Sequence, residues 1–156
     1  MTAELRGTFL YDAHVDLGAP IMVGPTPEGV RAIFPVTGGR LEGPRLKGRF
    51  LPHGGDWARI RGDGSIVLDV RALVETDDGA LIHLTYGGRL VIPAEIQAQV
   101  LDLTNPAPPA GDRYYFRTLP LFETASPQHA WLNGICAVGI GRVVTGGVAY
   151  RVFAID

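Results

Sequence analysis

The sequence predicts a mainly β protein, a single-domain antiparallel β-barrel over residues 1–156 with one short helix. Three observations predict it. Long runs alternate apolar and polar residues, the period of a strand with one buried face. The 21 glycines and 12 prolines are spread along the chain instead of clustered, as punctuation between many short elements. Helical spacing shows in one short stretch.

In chain order, residues 5–17 form the clearest strand. Leu5, Gly7, Phe9, Tyr11, Ala13, Val15 and Leu17 occupy the odd positions, while the even ones are mostly polar, Leu10 excepted. GPTPEG (24–29) reads as a loop, because its prolines fix φ and remove donors. Val30, Ala32, Phe34 and Val36 share the face of a second strand that Gly38-Gly39 is expected to end. In the next, Arg45, Lys47 and Arg49 alternate with Leu46, Gly48 and Phe50; Gly48 marks a bulge or barrel bend. His53-Gly54-Gly55-Asp56 reads as a loop leading to Trp57, and Gly62-Asp63-Gly64 as a tight turn. Residues 65–76 and 80–86 are strands joined by Asp77-Asp78-Gly79, a hairpin signal. The helix starts at Pro93 and carries Ile96, Val100 and Leu101 through Asp102. NPAPPAG (105–111) breaks regular structure. Strands follow at 114–123, 131–144 and 148–155, with Gly146-Gly147 closing the last hairpin. Roughly eight to ten strands with turns every 8–12 residues suit a sandwich or a barrel. The barrel is favoured, since closure removes the edges such long strands would present.

Composition narrows the function. All but Lys47 of the 14 basic residues are arginine, against 16 acids, for a formal charge of -2. Without a basic stripe, nucleic acid is not an expected partner. Cys136 stands alone, which rules out an internal disulfide and fits a reducing cytoplasm. No signal peptide or membrane-spanning run is legible, so a soluble cytoplasmic protein is expected.

Four segments resemble one bacterial family: GPTPEGVR (24–31), GGRLEGPRLKGRFLPHGGDW (38–57), LDVRALVETDDGALI (68–82) and YYFRTLPLFETASPQHAWLNGICAVGIGR (114–142). Together they make the chain similar to domain of unknown function 3237 (DUF3237, also UPF0311). The resemblance implies a small antiparallel β-barrel, close in outline to lipocalin-like and allene-oxide-cyclase-like barrels, and brings no substrate or cofactor with it. His53, where the family usually has Gly, and Ala72, where an aromatic is common, depart from the pattern.

The candidate site residues cluster around the last of those segments. Arg71 and Arg117 sit mid-strand, where a guanidinium is costly to bury unpaired. Either holds a ligand carboxylate or developing oxyanion, or is paired, Arg71 with Asp69 and Arg117 with Glu123 or an acid of a neighbouring strand. Tyr115 shares the face of Arg117. Asp56 is a candidate general acid or base and Trp57 a stacking platform, unless they form an Asx turn and a core plug. Trp131 and Asn133 could cover a ring and orient a carbonyl, or serve the core and a bulge. Asp77-Asp78 is explained by its turn. The four histidines are scattered, with His53 in the glycine-rich segment the one of interest, and no metal or other cofactor is expected.

The expected function is binding of a small hydrophobic or aromatic carbonyl or carboxylate metabolite in the barrel. Trp57, Arg71, Tyr115, Arg117, Trp131 and Asn133 are expected to line the cavity. Any catalysis is expected to be cofactor-free isomerisation, cyclisation, hydration or lyase chemistry, with Asp56, Glu123 or Tyr115 moving the proton. The alternatives are a non-catalytic carrier or sensor, or a homo-oligomeric assembly module.

Overall fold

A computed structural model describes residues 3–156. It contains β1 (Gly7–Leu17), β2 (Ile21–Thr26), β3 (Gly29–Glu42), β4 (Lys47–Ile60), β5 (Ile66–Thr76), β6 (Leu81–Val91), β7 (Tyr115–Glu123), β8 (Ala137–Val144) and β9 (Gly147–Ile155). The one α-helix among the described residues, α1, is Gln97–Leu101. The sheet runs β1-β9-β8-β7-β6-β5-β4-β3 and closes where β1 pairs β3, Asp12 facing Glu42 and Val15 facing Gly39. Eight antiparallel strands therefore form the barrel, and β2 is a ninth strand laid on the free part of β3. No helix among the described residues is long and apolar enough to cross a membrane.

Alternation selects the interior. Along β5, Ile66, Leu68, Val70, Ala72, Val74 and Thr76 are buried, while Asp69 and Arg71 are exposed. In β1 the odd face is interior from Tyr11 onward. Leu10, the exception to the alternation, lies at the bulge between Phe9 and Tyr11 and is buried too.

Several sequence expectations are corrected. The first half of the 24–29 loop is strand, the end of β2. Gly38-Gly39 does not end β3, because the chain passes through it to Glu42 with a register shift. Gly39 has φ 132°, and a Cβ there would strike the His14 carbonyl, so glycine serves close approach of β1. The 53–56 loop lies inside β4, at a shift between Phe50 and Gly54 that bends the strand. The expected helix shrinks to five residues. The strand expected from Trp131 begins at Ala137, preceded by a 3-10 segment, Pro127–Gly134.

The two barrel ends are closed differently. The 3-10 segment plugs one end with fully buried Leu132. His129, also buried, brings Nε2 to 3.1 Å from Asp78 on the β5–β6 turn. Asn133 accepts the Thr124 N–H at 2.8 Å and donates to the Thr124 carbonyl at 3.0 Å. Arg45 stacks on Trp131, 3.8 Å from the ring centroid. At the other end, α1 contributes Val100 and Leu101 to the apolar cluster. Phe116 lies across the interior opposite Gly141, where an added Cβ would come within 2.7 Å of its ring.

Two outcomes follow. Gly141→Ala should destabilise the barrel by about 1–3 kcal/mol in urea denaturation, because the Phe116 ring has to leave its place. The Asp78 carboxyl is held below its ordinary range, first by the Thr76 hydroxyl and then by His129. Its contribution is present above the unfolded carboxylate pKa of about 3.9 and is lost as pH falls through the lower folded value. Thermal melts of Asp78→Asn should therefore lie below wild type at pH 6 and converge with it in acid.

Candidate functional site

Between the packed 3-10 end and α1 the barrel holds a partly open cavity of about 60 Å³, room for several water molecules. Its walls are almost wholly apolar: Val15, Val36, Leu68 and Val148 from the strands, Leu101 and Leu103 from the α1 segment. Among the described residues three polar side chains reach it, Asp56, Tyr86 and Tyr150, and no Arg, Lys or His lines it.

Asp56 faces inward because β4 is in step with its neighbours there, opposite Phe34 of β3 and Val70 of β5. Just beyond, the β4–β5 ladder has no paired residues until Arg59 meets Val67. The Asp69 N–H donates instead to Oδ1 of Asp56 at 2.9 Å. Burial pushes the Asp56 carboxyl up to about 6, against the downward pull of the Asp69 N–H and Arg31; the Asp69 charge adds to the rise. The group is thus poised between acid and base near neutral pH.

Tyr86 and Tyr150 meet edge to face, ring centroids 5.6 Å apart. Burial drives both phenols above their usual range, and both feel the Asp56 charge. Tyr11, edge-on to Phe122, is raised by burial and by Tyr86. The result is a titratable carboxyl beside neutral phenolic donors inside a hydrocarbon wall. Such a set can give a proton to, or take one from, an uncharged molecule.

Of the nine candidate site residues, Asp56 alone lines this cavity. The interior position expected for Arg117 and Tyr115 is corrected by the parity of β7, which buries Phe116, Thr118 and Phe122 and turns their neighbours outward. Arg117 lies on the outer wall, donating to the Phe116 carbonyl at 2.9 Å with its guanidinium 5.0 Å from the Tyr115 ring centroid. Arg71 is exposed on the outer face of β5 for the same reason. Trp57 points outward opposite Ile33, and its carbonyl accepts Arg31 at 2.7 Å. Glu123 ends β7 in solvent, 3.6 Å from His83. His53 is exposed on the irregular stretch of β4. Trp131 and Asn133 belong to the 3-10 plug. Neither Arg71 nor Arg117 forms an ion pair among the described residues. Tyr86 and Tyr150 were missed by the sequence reading. Their signal was a tyrosine at an interior-parity position, after Ile82 and Leu84 in one strand and between Val148 and Val152 in the other. Among the described residues, no three His, Cys, Asp or Glu side chains converge as metal ligands.

Comparison with known proteins follows the fold. The chain is 35% identical over 132 residues to a UPF0311 protein of Rhodopseudomonas palustris strain TIE-1, covering 85% of this chain and 84% of that one. It superposes on the crystal structure of a beta-barrel like protein from Acinetobacter baumannii AYE with TM-score 0.85 and 36% identity, over 100% of this chain and 99% of that one. It is also similar to the hydroalkoxylation enzyme phnH of Penicillium herquei, 27% identical over 132 residues, 84% of this chain and 70% of the fungal one. Residues 6–155 match the family described as protein of unknown function (DUF3237), and the chain belongs to that family.

Proposed function

We propose that the barrel interior, widened from its void of about 60 Å³ as the segment carrying Leu101 and Leu103 moves outward, binds a small, uncharged aromatic or unsaturated metabolite and catalyses a cofactor-free proton transfer on it, with Asp56 carrying the proton. The observation that supports this reading is one carboxyl, raised to about 6, in an otherwise apolar cavity beside two neutral phenols. The absence of a cation from the lining favours a carbonyl, phenol or alkene over a free carboxylate, whose burial would go uncompensated.

Within the isomerase, cyclase, hydratase and lyase classes, the fungal relative's name favours addition of an O–H across a C=C bond. The protonated Asp56 gives its proton to one alkene carbon. The substrate hydroxyl oxygen bonds to the other, and the hydroxyl proton returns to the Asp56 carboxylate. Substrate and product are isomers, and the carboxyl ends as it began. Tyr86 and Tyr150 donate to the substrate oxygen and hold it near the alkene, while the ring faces shelter the developing cation.

Incubation with 2-(3-methylbut-2-enyl)phenol, followed by chromatography and mass analysis, should yield a cyclic ether of unchanged mass. Asp56→Asn should cut turnover by at least ~10²-fold and Tyr150→Phe by roughly tenfold, both with the fold retained. Saturable binding of the phenol without product would identify a carrier. Equal turnover in Asp56→Asn would reject the site. The stability consequence is separate. Because the folded pKa of Asp56 exceeds the unfolded one, its ionisation costs stability as pH rises from about 4 through 6. Asp56→Asn should gain on wild type by on the order of 3 kcal/mol between pH 4 and pH 8 in denaturant titrations.

A further inference from the structure

Arginines face each other across neighbouring strands at three places on the outer wall: Arg31 opposite Arg59, Arg40 opposite Arg49, and Arg89 opposite Arg117. Like charges directly opposed in a sheet are destabilising unless something neutralises them. At the first pair Glu28 lies 3.9 Å from Arg31 and 3.4 Å from Arg59. At the second, Arg40 meets Asp77 at 3.2 Å and Arg49 meets Glu75 at 2.9 Å. The Arg89–Arg117 pair has no carboxylate partner among the described residues. Each guanidinium spends one donor on the carbonyl of the residue before it, Arg89 on Gly88 at 2.8 Å and Arg117 on Phe116 at 2.9 Å. The other donors of each fork are left for a ligand.

The surroundings fit such a ligand. Arg117 borders a wide outer groove of about 840 Å³ in which Arg142 also stands without an ion-pair partner among the described residues. Asp12 in that groove is already held by Arg151, at 3.0 and 3.2 Å, which leaves Asp112 as the free acid facing it. Apolar side chains flank the pair: Tyr115 is 53% exposed and Leu119 61%, and Ile140 faces Arg117 across the β7–β8 contact. We propose that Arg89 and Arg117, with Arg142 at the groove, bind the dianionic phosphate group of a small organic phosphate. Two or three forked cations match its oxygens, and Tyr115 and Ile140 cover the organic part. This site lies outside the barrel and stands independently of Asp56.

Calorimetry with inorganic phosphate and with phenyl phosphate tests it at low and moderate salt. Wild type should bind both saturably, phenyl phosphate more tightly, with affinity falling as salt rises. Arg89→Gln and Arg117→Gln should each weaken binding at least tenfold, while Arg71→Gln, an outer-wall arginine outside the pair, and Asp56→Asn should not. In dilute buffer without phosphate, Arg117→Gln should melt at or above the wild-type temperature, because a repulsion has been removed, and should lose the upward shift that phosphate gives wild type. Absence of saturable binding, or binding undiminished in the Arg89→Gln/Arg117→Gln double variant, would overturn the proposal. So would a phosphate shift that survives in that variant.

Discussion

Closure of β1 onto β3 is the constraint from which the rest of the molecule follows. Once eight strands form a ring, every side chain points either to a shared interior or to water, and consecutive residues cannot share a side. A one-residue slip at the seam would exchange the two sets along a whole strand. The interior is therefore settled strand by strand through pairing with both neighbours. Where β4 meets β3 and β5, that pairing delivers half-buried Asp56 to the wall of the void. The carboxyl has its unusual acidity because of where the ring holds it, with the Asp69 N–H as its direct backbone partner.

The alternation of residues 5–17 and 65–76 made two long half-buried strands legible, Asp77-Asp78-Gly79 marked the hairpin that follows the second, and Gly146-Gly147 marked the hairpin of β8 and β9. What a lone strand cannot reveal is which of its faces closure turns inward. In β7, Arg117 and Tyr115 made a chemically attractive face, while Phe116, Thr118 and Phe122 looked like ordinary packing. The interior took the second set because the first carries Arg117 and Glu123, and charged groups are far cheaper to leave in water than to bury, even though Leu119 and Leu121 go outward with them. The same principle resolves β5: the continuous apolar face fills the barrel, and Asp69 and Arg71 remain outside.

The misread boundaries share a physical cause. Gly38-Gly39 and Gly54-Gly55 resemble loop punctuation in one dimension. In the barrel they are places where the backbone of a neighbouring strand comes too close for a Cβ, His14 against Gly39 and Arg71 against Gly54. Residues 131–136 have a strand-like composition, but His129 and Asn133 tie the segment to Asp78 and Thr124 before it can join the sheet. Those partners lie 51 and 9 residues away, and the first is beyond any local pattern. Tertiary contact outweighed propensity there.

The distribution of charge ties the two faces together. The cavity admits one acid and no base, while the arginines of the strands stand on the outer wall, most of them ion-paired there. An arginine inside would neutralise Asp56, pull its acidity back toward the ordinary carboxylate range and remove the property that makes it useful near neutral pH. The same exclusion crowds cations onto a surface with limited room, where β6 and β7 bring Arg89 and Arg117 face to face. A barrel that keeps its interior free of positive charge must manage that charge outside, and its own carboxylates do so wherever they reach.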